Sequence, residues 1–121
     1  MNIAIIGCTG AVGKEFINLI EERKFNYNNI KLVASKRSIN SKIQINNKLY
    51  SIIELNYDIF DDIKIAFFFV SSELSSKYIS YASKKNIICI DNSSAFRISH
   101  PLIVPEINFK WINLINENNI N

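Results

Sequence analysis

The sequence predicts an α/β fold, a mostly parallel twisted sheet with flanking helices and a small β-hairpin. Three observations predict it. The apolar run Ile3-Ala4-Ile5-Ile6 breaks directly into Gly7-Cys8-Thr9-Gly10-Ala11-Val12-Gly13, and a helical period follows at once. Further on, Ile63 to Val70 is almost continuously apolar, as expected of a strand buried on both faces. A second helical pattern then leads to the apolar run Ile87-Ile88-Cys89-Ile90, so strands and helices alternate along the chain.

The first element is a strand ending in a glycine turn. The chain has three glycines, and all of them fall in one seven-residue loop. At the first and fourth positions a glycine lets backbone approach a pyrophosphate, and at the seventh it lets helix pack on strand; the helix N-terminus offers unpaired N–H groups to an anion. GxxGxxG differs from the commoner GxGxxG, and an ordinary strand-to-helix turn is the competing reading. The strand before and the helix after favour a dinucleotide loop built on Gly7, Gly10 and Gly13.

The helix behind the loop places Val12, Phe16, Leu19 and Ile20 on one face and Lys14, Glu15, Glu21 and Glu22 elsewhere. Ile30 to Ala34 reads as a short buried strand, parallel to the first by the right-handed crossover rule. Residues 1 to 34 are thus half of a Rossmann-like sheet. NAD-binding domains of this kind usually carry a carboxylate after the second strand to hold the ribose 2′-hydroxyl, whereas this chain has Ser35-Lys36-Arg37-Ser38. Arg37 offers a bidentate fork and Ser38 a hydroxyl donor to a 2′-phosphate, which favours NADP over NAD; a solvated basic turn is the alternative.

Ile43, Ile45, Leu49 and Tyr50 flank Asn46-Asn47, a pair that tolerates positive φ, so a hairpin decorating the sheet edge is expected. After the strand at Ile63 to Val70, Ser71-Ser72-Glu73 caps a helix reaching about Lys85, with Leu74, Tyr78, Tyr81 and Ala82 on its apolar face. Ser71 and Ser72 stand at the C-terminal end of a parallel strand, where such sheets bind ligands, and Ser71 is a candidate cofactor contact. Ser72 is equally well explained as the N-cap. Tyr81 and Lys85 also fit the YxxxK pair of short-chain dehydrogenases, but they come too early in the chain, and Tyr81 falls on the apolar stripe as a core aromatic would.

Composition narrows the function classes. The chain has 121 residues, room for one domain, and a net charge of +3. Its lysines are scattered among Ile and Asn without a dense basic stripe, which argues against nucleic acid. No run approaches the roughly 18 apolar residues of a membrane span, and the start lacks a signal-peptide pattern, so a cytoplasmic protein with no membrane role is expected. Cys8 and Cys89 have no CxxC spacing and are read as free thiols; no metal site is expected.

The stretch Ile90-Asp91-Asn92-Ser93-Ser94-Ala95-Phe96-Arg97 runs a buried strand into polar residues and one of only three arginines. A guanidinium kept in a lysine-rich chain suggests phosphate or carboxylate recognition at Arg97, with a structural salt bridge as the competing account.

These residues carry a resemblance. Gly7 to Gly13 resembles the GATGAVG loop of aspartate-semialdehyde dehydrogenases, with Cys8 for the alanine, and Ala34 to Ser38 resembles their ASxRS segment. Ile90 to Arg97 is similar to their IDNSSAFR, and Val104 to Asn108 to their VPEVN, with Ile107 for valine. The four blocks occur in the family's order, and the last two are specific to it.

The resemblance implies an NAD(P)-binding domain over residues 1–121 and NADPH-dependent reductive dephosphorylation of L-aspartyl 4-phosphate to L-aspartate 4-semialdehyde, on the path to diaminopimelate, lysine, methionine and threonine. It implies that Thr9 to Gly13 hold the pyrophosphate, Arg37 and Ser38 the 2′-phosphate, and Arg97 the acyl phosphate or inorganic phosphate. Asn40 and Ser72-Glu73 depart from the family pattern. Family members form homo-oligomers and use a cysteine nucleophile, in an NCS motif beyond VPEVN, with a histidine as acid and base. Neither Cys8, Cys89 nor His100 stands at such a position, so no catalytic residue is assigned. The chain is expected to be an N-terminal part without the catalytic and dimerisation domain, inactive alone. Two alternatives stay open: another acyl-phosphate reductase of the acetylglutamyl-phosphate type, and a non-catalytic nucleotide-binding fragment.

Overall fold

A computed structural model describes residues 1–91. Its elements are β1 (Asn2–Ile6), α1 (Ala11–Arg23), β2 (Asn29–Ala34), a 3-10 turn (Lys36–Ser38), β3 (Lys42–Ile45), β4 (Lys48–Glu54), a second 3-10 turn (Tyr57–Phe60), β5 (Ile65–Phe68), α2 (Ser72–Ser83) and β6 (Ile88–Asp91). They form one six-stranded sheet in the order β3-β4-β2-β1-β5-β6. Every pairing is parallel except β3 with β4. The expected Rossmann-like architecture is therefore present.

β1 lies at the centre because it is apolar on both faces. Ile3 and Ile5 enter one core layer, beneath α1, with Phe16, Ile17, Ile20, Leu32 and Phe67. Ala4 and Ile6 enter the other, beneath α2, with Val33, Phe60, Phe68, Tyr78 and Ala82. Alternation along each strand sorts the side chains between the layers. Phe67 and Phe68 are both buried, which accounts for the unbroken apolar run there.

Three expectations are refined. The buried face of α1 consists of Gly13, Phe16, Ile17 and Ile20, so Ile17 takes the place assigned to Leu19. The hairpin forms with Asn46 and Asn47 at φ 51° and 68°, but only β3 decorates the edge. β4 turns inward and pairs in parallel with β2, Leu32 opposite Ile52 and Ala34 opposite Glu54. The connection from β4 to β5 is the short 3-10 turn where a crossover helix is usual. Lys31 on β2 supports it, its Nζ donating to the carbonyls of Ile59 at 3.0 Å and Asp61 at 2.9 Å. On α2 the buried residues are Ser75, Tyr78 and Ala82, whereas Leu74 is exposed.

Among the described residues no helix is long and apolar enough to cross a membrane, and no cluster of His, Cys, Asp and Glu could hold a metal ion.

Candidate dinucleotide site

β1 hands the chain to the glycine loop at the carboxyl edge of the sheet. Gly7 adopts φ +90°, and a Cβ there would meet the carbonyl oxygen of Phe69 at 2.3 Å. Its amide and that of Cys8 donate to the carbonyl of Val33 at 2.8 and 3.2 Å, which ties the loop to the end of β2. A Cβ on Gly13 would stand 2.2 Å from the carbonyl oxygen of Gly7. The first and last glycines thus let the loop, α1 and the chain leaving β5 touch backbone to backbone.

Gly10 differs from both. A Cβ there would find only the Gly7 carbonyl, at 3.7 Å, so the space above it is open. The space beside this middle glycine is thus open to a ligand, whereas the Cβ position of Gly7 faces the backbone of Phe69 just after β5. Gly10 is the N-cap of α1 with no side-chain cap, and no acidic residue lies in the first turn. The first helical amide to find a carbonyl is that of Lys14, donating to Gly10 at 2.9 Å, so the amides of Ala11, Val12 and Gly13 are left to an anion.

A cleft of about 240 Å³ opens beside the loop, lined by Gly7, Thr9 and Gly10, by Ala34 and Ser35 after β2, and by Leu55, Val70 and Leu74. It lies where the chain leaves β1 on either side, to β2 and to β5, the place where open α/β sheets take their ligands. Larger recesses of about 480 and 530 Å³ lie elsewhere, the first against the α1–β2 loop and the hairpin turn, the second around Asp61 and Lys85. Neither contains a glycine turn or a free helix N-terminus.

Arg37 is exposed on the 3-10 turn following β2. Its guanidinium has no hydrogen-bond or ion-pair partner among the described residues. Ser38 is half-buried, and its amide donates to the Ser35 carbonyl at 2.9 Å, which holds the turn. The turn directly follows Ser35, which lines the cleft, and its cations are unpaired among the described residues.

Ser71, not Ser72, caps α2: its Oγ accepts from the Leu74 amide at 3.3 Å. Ser71 is exposed beside the cleft, but capping already engages its hydroxyl. Leu74 and Leu55 escaped the sequence reading. The apolar period puts Leu74 on the buried stripe, and Leu55 reaches the cleft only because β4 enters the main sheet. Arg97 and the block from Val104 to Asn108 lie outside the described residues.

The other candidates fall away from this edge. α2 runs back across the sheet, so Tyr81 and Lys85 lie at the amino edge, where Lys85 pairs with Asp61 at 2.9 Å. That bond chiefly, with Tyr81 nearby, raises the Lys85 pKa. Tyr81 packs on Tyr57 with ring centroids 4.7 Å apart, the aromatic part its sequence position suggested. Burial pushes the Cys8 thiol up to about 11. Burial, with Asp91 nearby, pushes Cys89 up to about 11 as well. Both thiols are free, and neither is activated as a nucleophile.

The fold and this edge define a dinucleotide-binding domain of the Rossmann type. Residues 2–115 match the model of the semialdehyde dehydrogenase NAD binding domain. The chain belongs to the semialdehyde dehydrogenase family, as its nicotinamide-dinucleotide-binding domain. Its relatives include the aspartate-semialdehyde dehydrogenases of Rickettsia conorii, 42% identical over 98% of this chain and 36% of that protein, and of Rickettsia bellii, 46% identical over 92% and 33%. The crystal structure of aspartate semialdehyde dehydrogenase II from Vibrio cholerae superposes with a TM-score of 0.75 at 34% identity, over 98% of this chain and 36% of that one. The chain spans about a third of the length of the curated relatives it matches.

Proposed function

We propose that this chain is the NADP-binding domain of an aspartate-semialdehyde dehydrogenase, the enzyme that converts L-aspartyl 4-phosphate to L-aspartate 4-semialdehyde with NADPH, releasing phosphate. The observation that carries this reading is an uncapped helix N-terminus at Gly10 beside an unpaired guanidinium at Arg37, on the two turns that follow the adjacent parallel strands β1 and β2. The amides of Ala11, Val12 and Gly13 receive the pyrophosphate, with Thr9 beside them. Arg37 and Ser38 receive the 2′-phosphate, for which a planar fork and a hydroxyl suit three acceptor oxygens. Leu55 and Leu74 keep water from the base, and Ser71 closes that end of the cleft.

When bound, the nicotinamide supplies a hydride. This domain's task is to hold it at the carboxyl edge of the sheet; Arg97, outside the described residues, is proposed for the acyl phosphate. With both cysteines held as inert thiols, the chain by itself binds cofactor without turnover, and the work belongs to a larger homo-oligomeric enzyme of amino-acid biosynthesis in the cytoplasm.

The test is calorimetric titration of the full chain with NADP and with NAD. Measurable NADP binding, weakened at least tenfold in Arg37→Ala, supports the reading. Equal binding by that variant sinks the 2′-phosphate assignment, and phosphate-dependent NADP reduction with the semialdehyde sinks the inactivity.

A further inference from the structure

We infer that Glu54 tunes the choice between NADP and NAD, standing as a carboxylate acceptor for a plain ribose 2′-hydroxyl opposite the cations that receive a 2′-phosphate. This rests on the dinucleotide site proposed above. The segment after β2 contains no carboxylate in sequence, but the fold brings one beside it. β4 pairs in parallel with β2 so that Glu54, the last residue of β4, stands directly opposite Ala34, the last residue of β2. Neighbouring strands lie about 4.8 Å apart, so the two residues are adjacent at the carboxyl edge.

The position is held on both sides. The Leu55 amide donates to the Ala34 carbonyl at 3.1 Å, and Asn56 Nδ2 donates to the Glu54 carbonyl at 3.0 Å. The 3-10 turn carrying Lys36 and Arg37 packs against β4. Ala34, Ser35 and Leu55 all line the cleft, so Glu54 is flanked in sequence and across the strand pair by cleft residues. Its side chain is exposed and has no hydrogen-bond or ion-pair partner among the described residues.

The chemistry works in opposite directions for the two cofactors. A 2′-hydroxyl is a donor, and a free carboxylate accepts from it, the part an acidic residue at the end of the second strand plays in NAD-binding domains. A 2′-phosphate is an anion, which Glu54 repels while Arg37 and Lys36 attract it. The site therefore binds NADP with a preference that Glu54 moderates, and it retains NAD as a second ligand.

Titrating NADP and NAD separately into the full-length chain and its variants at one ionic strength tests this. Glu54→Gln should raise the NADP-over-NAD affinity ratio about threefold, as an exposed charge interaction allows, and Glu54→Lys should raise it further. Thermal midpoints should stay at the wild-type value, because the side chain has no partner to lose. A ratio unchanged in both variants, or falling in either, overturns the inference. Arg37→Ala reports separately: if it leaves NADP binding intact, the proposed 2′-phosphate site is wrong whatever Glu54 does. Failure of the wild-type chain to bind either dinucleotide overturns both.

Discussion

The two turns that follow β1 and β2 stand side by side at the same edge and are built on opposite plans. The glycine loop is determined by sterics: Gly7 and Gly13 sit where a single added carbon would lie within 2.3 Å of a backbone oxygen. The basic turn is determined by almost nothing inside the protein, since Lys36 and Arg37 are exposed and their cations unpaired among the described residues. The first turn is fixed by packing, and the second carries exposed charge. Substitutions should therefore separate stability from affinity cleanly.

Gly7→Ala gives the largest expected effect. It meets both a left-handed backbone and the Phe69 carbonyl, and should cost about 3 kcal/mol or more, read as a lower urea midpoint. A near-neutral result would break the steric side of the comparison. Arg37→Ala should leave that midpoint unchanged and weaken NADP at least about tenfold, the scale of a charge-assisted hydrogen bond. Gly10→Ala stands between them. With ordinary extended backbone and open space, it should shift stability by no more than about 1 kcal/mol while obstructing the dinucleotide.

A smaller effect tests the interior of the loop. Cys8 is buried and titrates near 11 instead of 9.0, so the folded chain holds a proton that the unfolded chain releases between those values. Stability should fall as pH rises from 9 toward 11. Tyr27, raised to about 12 chiefly by burial, and Cys89 act in the same sense. Cys8→Ala should flatten part of that slope in urea midpoints taken at pH 8 and 10. Smallest of all, Lys85→Met should leave dinucleotide binding unchanged, because its pairing with Asp61 is at the far edge and in solvent.

Much of the fold was legible because its signals are local. The glycine loop, the α1 stripe and the apolar runs of β1, β5 and β6 each declare themselves within a few residues. What escaped required knowing which strands become neighbours. The hairpin sequence announces its turn at Asn46 and Asn47, but not that β4 pairs with β2. Leu55 and Glu54 consequently gave no sign in the sequence of standing beside the end of β2. The stripe on α2 failed for a different reason: Ser75 is buried in place of Leu74, and polarity alone points the wrong way there. At the candidate site, the glycine loop and the carboxylate-free turn at Arg37 are visible in the residue types, whereas the different surroundings of the three glycines needed the contact geometry.

The placement of β1 also bears on how the chain acquires its shape. Its first partner is complete by residue 34, and the next strand to join it, β5, arrives only with residues 65–68. The β1-α1-β2 unit can settle on local contacts before the slower, distant closure by β5. The amides of Gly7 and Cys8, bonded to Val33 within that early unit and then covered by Phe69, should be among the last to exchange with deuterium. The ligand-binding edge would thus coincide with the most persistent part of the molecule.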